Sequence, residues 1–293
     1  MMDDVHSESR IIKIADYLHK VIAGLGKDTM GLRTGIITLD NQTKGLKPTE
    51  LTILAGRPSM GKSALMVDTV LSVSKTNTVL IFSMEMSAGL LIERMLASVS
   101  KVSYARIKSS MMVESEKQRL KVAEQELMRR SIYIDEGSLI TPLNIFHRIE
   151  EIQKIEKIDC VFVDYLQLMN LHKAAENRNQ EISVMCRQLK AMAKGFDIPF
   201  MVLCQLNRGV EFRANNQPRL SDLRDSGSIE QDADVVILVH RPEYYSMART
   251  GGGVATGQAE LIVAKNRNGP VGVVQCFWDG KIMSFSDSVE GDF

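Results

Sequence analysis

Gly56-Arg57-Pro58-Ser59-Met60-Gly61-Lys62-Ser63 fits the spacing Gly-x-x-x-x-Gly-Lys-Ser/Thr, and Ala64 carries it into a helical run. Residues of these types in this order build a cradle for phosphates. The glycines let successive N–H groups turn toward an anion, and the helix that follows adds the positive end of its dipole. The Lys62 ammonium reaches the β- and γ-phosphates, and the Ser63 hydroxyl takes a place in the shell of a Mg²⁺ ion. A plain glycine turn with an exposed lysine would not need an apolar strand before it and an amphipathic helix after it, and both are present. The loop therefore implies a nucleoside triphosphate with Mg²⁺, and ATP is the expected one.

Three more residues are candidates for chemistry. Cys160-Val161-Phe162-Val163-Asp164 is an apolar strand closed by a carboxylate, the arrangement that holds the metal's water shell near Ser63. Many buried strands end in Asp as a turn, but here a phosphate loop lies upstream. Glu85 follows the strand Thr78–Ser83. Ligands of parallel sheets sit outside the carboxyl ends of strands, so Glu85 can polarise an attacking water; the plainer reading is a helix N-terminal charge before Ser87. Gln205 ends the strand Phe200–Cys204, where it can donate to the γ-phosphate and register its loss, or simply be a polar strand end.

The elements that must position these groups alternate. Strands at 51–55, 78–83, near 131–134, 160–164 and 200–204 are separated by helical patterns at 61–75, 87–100, 113–130, 142–156 and 177–197, the last with Met185, Leu189, Met192 and Phe196 on one face. Such alternation predicts a parallel sheet with helices on both faces. After Asp234 only strands follow, at about 235–239, 258–265, 271–278 and 281–285, around a loop at Gly251-Gly252-Gly253. An α/β fold results, with a mostly parallel sheet and antiparallel strands at its C-terminal edge. Ahead of it, Ile11, Ile14, Ala15, Leu18, Val21, Ile22 and Leu25 form an amphipathic helical stripe over residues 9–25, which must cover either its own domain or a neighbouring subunit. We divide the chain into a segment at 1–30 and a domain at 31–293.

Composition narrows the class. At 293 residues with 44% hydrophobic content the chain can bury a large core. No stretch approaches the ~20 apolar residues of a membrane span, and the start Met1-Met2-Asp3-Asp4 lacks a signal peptide's basic and apolar regions. A cytoplasmic protein without a membrane partner is expected. Cys160, Cys186, Cys204 and Cys276 are solitary in apolar segments, so reduced core thiols are expected, and most of the 17 methionines sit at core-periodic positions. The balance of 36 basic and 36 acidic residues counts against a broad basic nucleic-acid face, whereas a narrow channel lined with basic groups can focus potential without any net charge.

GRPSMGKS, FSMEMS, FVDYLQLM, ENRNQEIS, CQLNRGVE, DLRDSGSIEQDADVV and KNRNGPVG occur in the order and at about the spacing seen in DnaB-type replicative helicases, from about residue 10 to about 285. The chain resembles the C-terminal motor of that family. The resemblance implies a RecA-like fold, a homo-hexameric ring, ATP hydrolysis and 5′ to 3′ travel along single-stranded DNA that unwinds duplex at a replication fork. Primase and a helicase loader are implied as partners through the full-length protein. The family's helical collar domain, which meets primase, has no counterpart here, leaving open a piece of a longer protein or a motor without a collar. The stripe at residues 9–25 matches the family's linker helix, which docks on the adjacent subunit.

Position by position, the resemblance gives Lys62 and Ser63 the phosphate and metal roles, Glu85 that of general base, Asp164 that of metal carboxylate and Gln205 that of γ-phosphate sensor. It adds Lys265 and Arg267, which on spacing alone are strand-end charges, as groups that reach the neighbouring subunit's γ-phosphate. Arg241 and an aromatic from Phe277-Trp278 are placed about the adenine. For DNA it points to Arg224, Asp225 and Gly227, and to the loop at 170–180 with Lys173 and Arg178. Asp225 stands where the family commonly has Glu, and Thr49 where it usually has Gly. A RecA- or RadA-like recombinase shares the phosphate loop and the carboxylate after the second strand; a P-loop kinase and a non-catalytic nucleic-acid module are more distant readings.

Overall fold

The computed structural model describes residues 13–24, 30–171, 177–213, 215–245 and 256–287, and for residues 17, 20 and 224–228 the backbone alone. Six apolar runs become parallel strands: β1 (Leu51–Gly56), β2 (Val79–Ser83), β3 (Ile132–Asp135), β4 (Cys160–Asp164), β5 (Phe200–Gln205) and β6 (Val235–His240). Strands covered on both faces have no polar side, and all but the edge strand β3 are buried nearly throughout. Antiparallel pairing then adds β7 (Gln258–Asn266), β8 (Gly272–Asp279) and β9 (Ser284–Asp287). Among the described residues the sheet has nine strands in the order β3-β2-β4-β5-β1-β6-β7-β8-β9. The expected architecture is therefore the observed one.

Successive residues of each strand point to opposite faces, and two cores result. On one face α2 (Ile37–Thr43), α3 (Lys62–Val73) and α4 (Ala88–Ser100) pack on Leu54, Ile81, Phe162 and Ile237; on the other α7 (Pro142–Gln153), α8 (Arg178–Phe196) and α9 (Gly227–Asp232) pack on Ile53, Leu80, Val161 and Val236. Three short helices were not expected, α2, α5 (Tyr104–Ser109) and α9. None carries a full apolar period. In α2 the fold supplies what propensity lacks: Leu39 is buried, and the Asp40 carboxylate accepts from the N–H and hydroxyl of Thr34, both at 2.8 Å. The last strand lies later than the expected 281–285, because residues 280–283 form a turn with Met283 at φ 53°.

Two features bear on function. α1 (Ile14–Gly24) leaves its apolar stripe uncovered, with Ile14 78% and Val21 54% exposed. Beneath the sheet's C-terminal end, the Asp68 carboxylate of α3 accepts from the Phe285 N–H at 2.6 Å and from the Ser284 hydroxyl at 2.8 Å, pinning β9 across α3. Phe285 thereby lies on Gly61, where φ is +100° and an added Cβ would stand 2.8 Å from the ring. Only glycine fits there, on both counts.

Burial raises the Asp68 pKa from 3.8 to about 6, its hydrogen bonds opposing the shift. The native state thus holds this proton more tightly than the unfolded chain. That contribution to stability is fully present below about 3.8 and lost as pH rises through about 6. Denaturant melts of the wild-type chain and of Asp68→Asn should show the wild type losing about 1 kcal/mol relative to the variant between pH 5 and pH 7.5. A constant difference over that range would contradict the account.

Candidate active site

Strand register brings the candidate residues to one edge. Ser83 pairs with Asp164 and Gly56 with Gln205, so the ends of β2, β4, β1 and β5 open together. Gly56 starts the loop and Gly61 is the N-cap of α3, with no side-chain cap on the helix. The first N–H groups of α3 are left for an anion. A cavity of about 510 Å³ opens there, lined by Pro58, Ser59, Gly61, Lys62, Ser63, Ala64, Glu85 and Gln205. Lys62 Nζ donates to the Arg57 carbonyl at 3.3 Å. Burial lowers the Lys62 pKa, and Asp164 and Glu85 oppose the shift.

Asp164 lies beneath the cavity, fully buried, with neither carboxylate oxygen hydrogen-bonded. Burial pushes its pKa up to about 6; the Ser63 hydroxyl and Lys62 counter this, and Glu85 adds to it. A buried carboxylate with free lone pairs beside a serine hydroxyl is a hard-oxygen donor set that fits Mg²⁺, which takes few protein ligands and completes its shell with phosphate and water. These residues fit the ion that the loop implies.

The other loop side chains divide. Arg57 and Met60 turn inward, so their part at the cradle is backbone only. Arg57 is buried, donating through Nε and Nη2 to Glu211 at 2.8 and 2.7 Å and through Nη1 to the Leu206 carbonyl at 2.7 Å. Arg241 donates to the Ser59 carbonyl at 3.3 Å and stacks on Trp278 at 4.8 Å. Trp278 lines the cavity and packs on Phe285 at 4.7 Å, whereas Phe277 is partly exposed on the opposite face of β8. Of the two aromatics it is Trp278 that faces the site.

Lys265 and Arg267 are elsewhere. β7 runs antiparallel to β6 and sets Asn266 against Val235, so the pair sits at the end of the sheet where β1 begins. Lys265 Nζ donates to the carbonyls of Glu230, Gln231 and Ala233 at the end of α9. Arg267 donates to Gln231 O at 2.7 Å and meets Asp234 at 3.3 Å. Asp234 also accepts from the Leu51 N–H, at the start of β1, at 2.8 Å. From Leu51 to Gly56 is roughly 17 Å at ~3.3 Å per residue.

Of the residues matched to DNA contact, Arg178 at the start of α8 donates to the Gln167 and Met169 carbonyls at 2.7 and 2.9 Å. Lys173 lies outside the described residues. The backbone of Arg224 and Asp225 follows a 3-10 turn at Leu220–Ser226, and Gly227 opens α9; the side chains of residues 224–228 lie outside those described. The turn is anchored by buried Asp222, which is ion-paired with Arg213 at 2.5 Å. The cavity also contains a cation that sequence reasoning missed, Arg94 of α4, whose Nε is buried without a partner. A lone arginine in the apolar helix after Glu85 was the available signal.

The sequence profile of the DnaB-like helicase C terminal domain matches residues 31–287. The chain belongs to this family. It is 37% identical over 274 residues to the replicative DNA helicase DnaB of Buchnera aphidicola subsp. Schizaphis graminum, covering 92% of this chain and 58% of that protein. Identity to the replicative DNA helicase DnaB of Haemophilus influenzae is 37% over 289 residues, 97% of this chain and 60% of the relative. The chain thus spans somewhat over half the length of these curated relatives. Among solved structures, an ATPase domain superposes with a TM-score of 0.88 at 30% identity, over 95% of this chain and 100% of that one. A DnaB-like replicative helicase, described with its interactions with primase, gives 0.87 at 30% identity over 95% of this chain and 68% of its own. The RecA-like ATPase fold of the DnaB-like family is thus the fold of this chain.

A buried carboxylate without a hydrogen bond, only partly offset by Lys62, destabilises the DnaB-like domain until a metal ion joins it. Asp164→Asn should therefore melt a few degrees higher than wild type without nucleotide, and lose most of the further rise given by Mg²⁺ with a non-hydrolysable ATP analogue. Thermal melts with and without that pair check both halves. A variant that melts lower when empty and keeps the full ligand shift would refute the assignment of Asp164.

Proposed function

We propose that this chain is the ATP-hydrolysing motor of a ring-forming replicative DNA helicase that travels on single-stranded DNA and unwinds duplex at a fork. Residues 31–293 form the motor and residues 1–30 a linker. One observation carries the reading: the cavity brings together Lys62, Ser63, Glu85 and Gln205, while the cations matched to its γ-phosphate, Lys265 and Arg267, sit at the far end of the same sheet. They can serve only the site of another copy.

In this mechanism Lys62 and the N–H groups at the start of α3 hold the β- and γ-phosphates, and Glu85 orients and deprotonates the attacking water. Ser63 and Asp164 hold Mg²⁺, which when bound neutralises charge on the phosphate oxygens. Arg241 and Trp278 flank the base, and Arg94 adds positive charge within the cavity. Gln205 contacts the γ-phosphate and senses its departure. Arg267 of the next copy, with Lys265 beside it, stabilises the charge of the transition state. The turn bearing Arg224, Asp225 and Gly227 meets DNA phosphates in the channel, a sequence-independent contact suited to translocation.

The uncovered stripe of α1 supports assembly. Ile92, Met95, Leu96, Leu127, Met128 and Ile134 line an open apolar groove of about 490 Å³ between α4, β3 and α6 (Glu114–Leu127), which suits the α1 helix of a neighbour. The DnaB-like relative solved with primase contacts supports primase as a partner, and a loader is proposed with it. Among the described residues no helix is long and apolar enough to cross a membrane.

Arg267→Ala should lower kcat for DNA-stimulated ATP hydrolysis by about 10³- to 10⁵-fold. Mixing it with Lys62→Ala, itself inactive, should restore measurable turnover, since some interfaces then join an intact Lys62 to an intact Arg267. No recovery in rings verified to be mixed would defeat the shared site. Leu18→Glu should weaken self-association about tenfold or more, the scale of one buried leucine, as measured by sedimentation with nucleotide; unchanged assembly would remove α1 from the interface.

A further inference from the structure

The ladder between β4 and β5 stops early. It runs Val161 to Phe200, Phe162 to Met201 and Val163 to Val202, and goes no further. β5 continues to Gln205, still paired on its other side with β1 through Gly56. The last residue of β5, the one set against the nucleotide, therefore has its β4-facing N–H and carbonyl without a strand to bond them. Gln205 is the one exposed residue of β5, and one side chain supplies a partner to each of these two backbone groups. Gln167 Oε1 accepts from the Gln205 N–H at 3.1 Å, and Gln167 Nε2 donates to the Gln205 carbonyl at 3.0 Å. The amide acts as a surrogate strand residue, and only one orientation of it satisfies both bonds.

Gln167 is itself held. It lies in the 3-10 turn Leu166–Leu168 that follows Asp164, and its carbonyl accepts from Arg178 Nη2 at 2.7 Å. The same nitrogen bonds the Met169 carbonyl at 2.9 Å, and the guanidinium pairs with Glu181. Gln205 forms a wall shared by two cavities: the nucleotide cavity, and one of about 330 Å³ bounded by Gln167, Arg178, Asn207, Asp222 and Leu223. The second cavity separates the turn at 166–168 from the turn at Leu220–Ser226.

We infer that Gln167 is the positioning residue of the γ-phosphate sensor: its amide fixes where Gln205 stands and carries any shift of Gln205 into the turn that Arg178 anchors. This inference rests on the reading of Gln205 as sensor. Gln167 lies outside the nucleotide cavity, so it acts through Gln205 rather than on the phosphate. A small displacement of β5's last residue must either break two hydrogen bonds or move the 166–168 turn with it.

The test is a double-mutant cycle read by nucleotide discrimination. Affinities of fluorescent ADP and of a fluorescent non-hydrolysable triphosphate are measured, with Mg²⁺, for wild type, Gln205→Ala, Gln167→Met and the double variant. Gln205→Ala should lose about 5- to 10-fold of the preference for triphosphate, the scale of one or two hydrogen bonds. Gln167→Met should lose a similar factor, and the double variant should lose no more than Gln205→Ala alone, because one acts through the other. A merely structural role for Gln167 would give additive losses, or equal weakening of both nucleotides, and either overturns the inference. If Gln205→Ala keeps the wild-type preference, the sensor reading fails and the inference with it; if only Gln167→Met keeps it, the inference alone fails. Should Gln167→Met not fold, isosteric Gln167→Glu, which keeps the acceptor and loses the donor, carries the same expectations.

Discussion

The structure turns on a charge arrangement that is incomplete by itself. Lys62 lines the cavity and interacts as a charge with Asp164, which is buried with no hydrogen bond to its carboxylate, and α3 begins there without a side-chain cap. Burial raises the Asp164 pKa and lowers that of Lys62, so each charge is held at a cost in desolvation. A polyanion with a divalent cation supplies both missing partners together. The rest of the fold serves to keep this pocket open and unsatisfied. Phe285, pinned by Asp68, fills the space behind Gly61 and so backs the turn from which α3 starts.

Much of this could be read in the sequence because strand ends are local. A run such as Cys160–Asp164 declares both its burial and the residue that terminates it, and parallel pairing then brings Gly56, Ser83, Asp164 and Gln205 to one edge without further information. What could not be read depends on partners distant in the chain. α2 stands because Thr34 and the core beneath Leu39 hold it, not because its residues favour a helix. Arg94 is one arginine among many until α4 is packed. Gln167 looks like a polar residue after a strand, and its task becomes visible only when the early end of the β4–β5 ladder leaves Gln205 without a strand partner on its β4 side.

The antiparallel extension does more than widen the sheet. A seventh parallel strand beside β6 would have run toward the cavity and ended at the nucleotide. By reversing direction, β7 ends where β1 and β6 begin, and so delivers Lys265 and Arg267 to the opposite rim. Strand direction alone therefore determines whether these cations belong to their own site or to that of a neighbour. Under the proposed function, hydrolysis depends on assembly because of a topological choice rather than an affinity.

Neither cation is idle in the single chain. Lys265 and Arg267 together occupy the last carbonyls of α9, where positive charge is favoured by the helix dipole, and α9 begins at Gly227, beside the turn proposed to meet DNA. Under the proposed function, a neighbour's triphosphate competes with these carbonyls and with Asp234 for the same donors. Whatever the phosphate gains, α9 loses at its C-terminal end, and the helix is only six residues long. The short helix thus ties the two ligands to a single balance of hydrogen bonds, and linkage requires that an effect of nucleotide on DNA affinity be matched by an equal effect of DNA on nucleotide affinity.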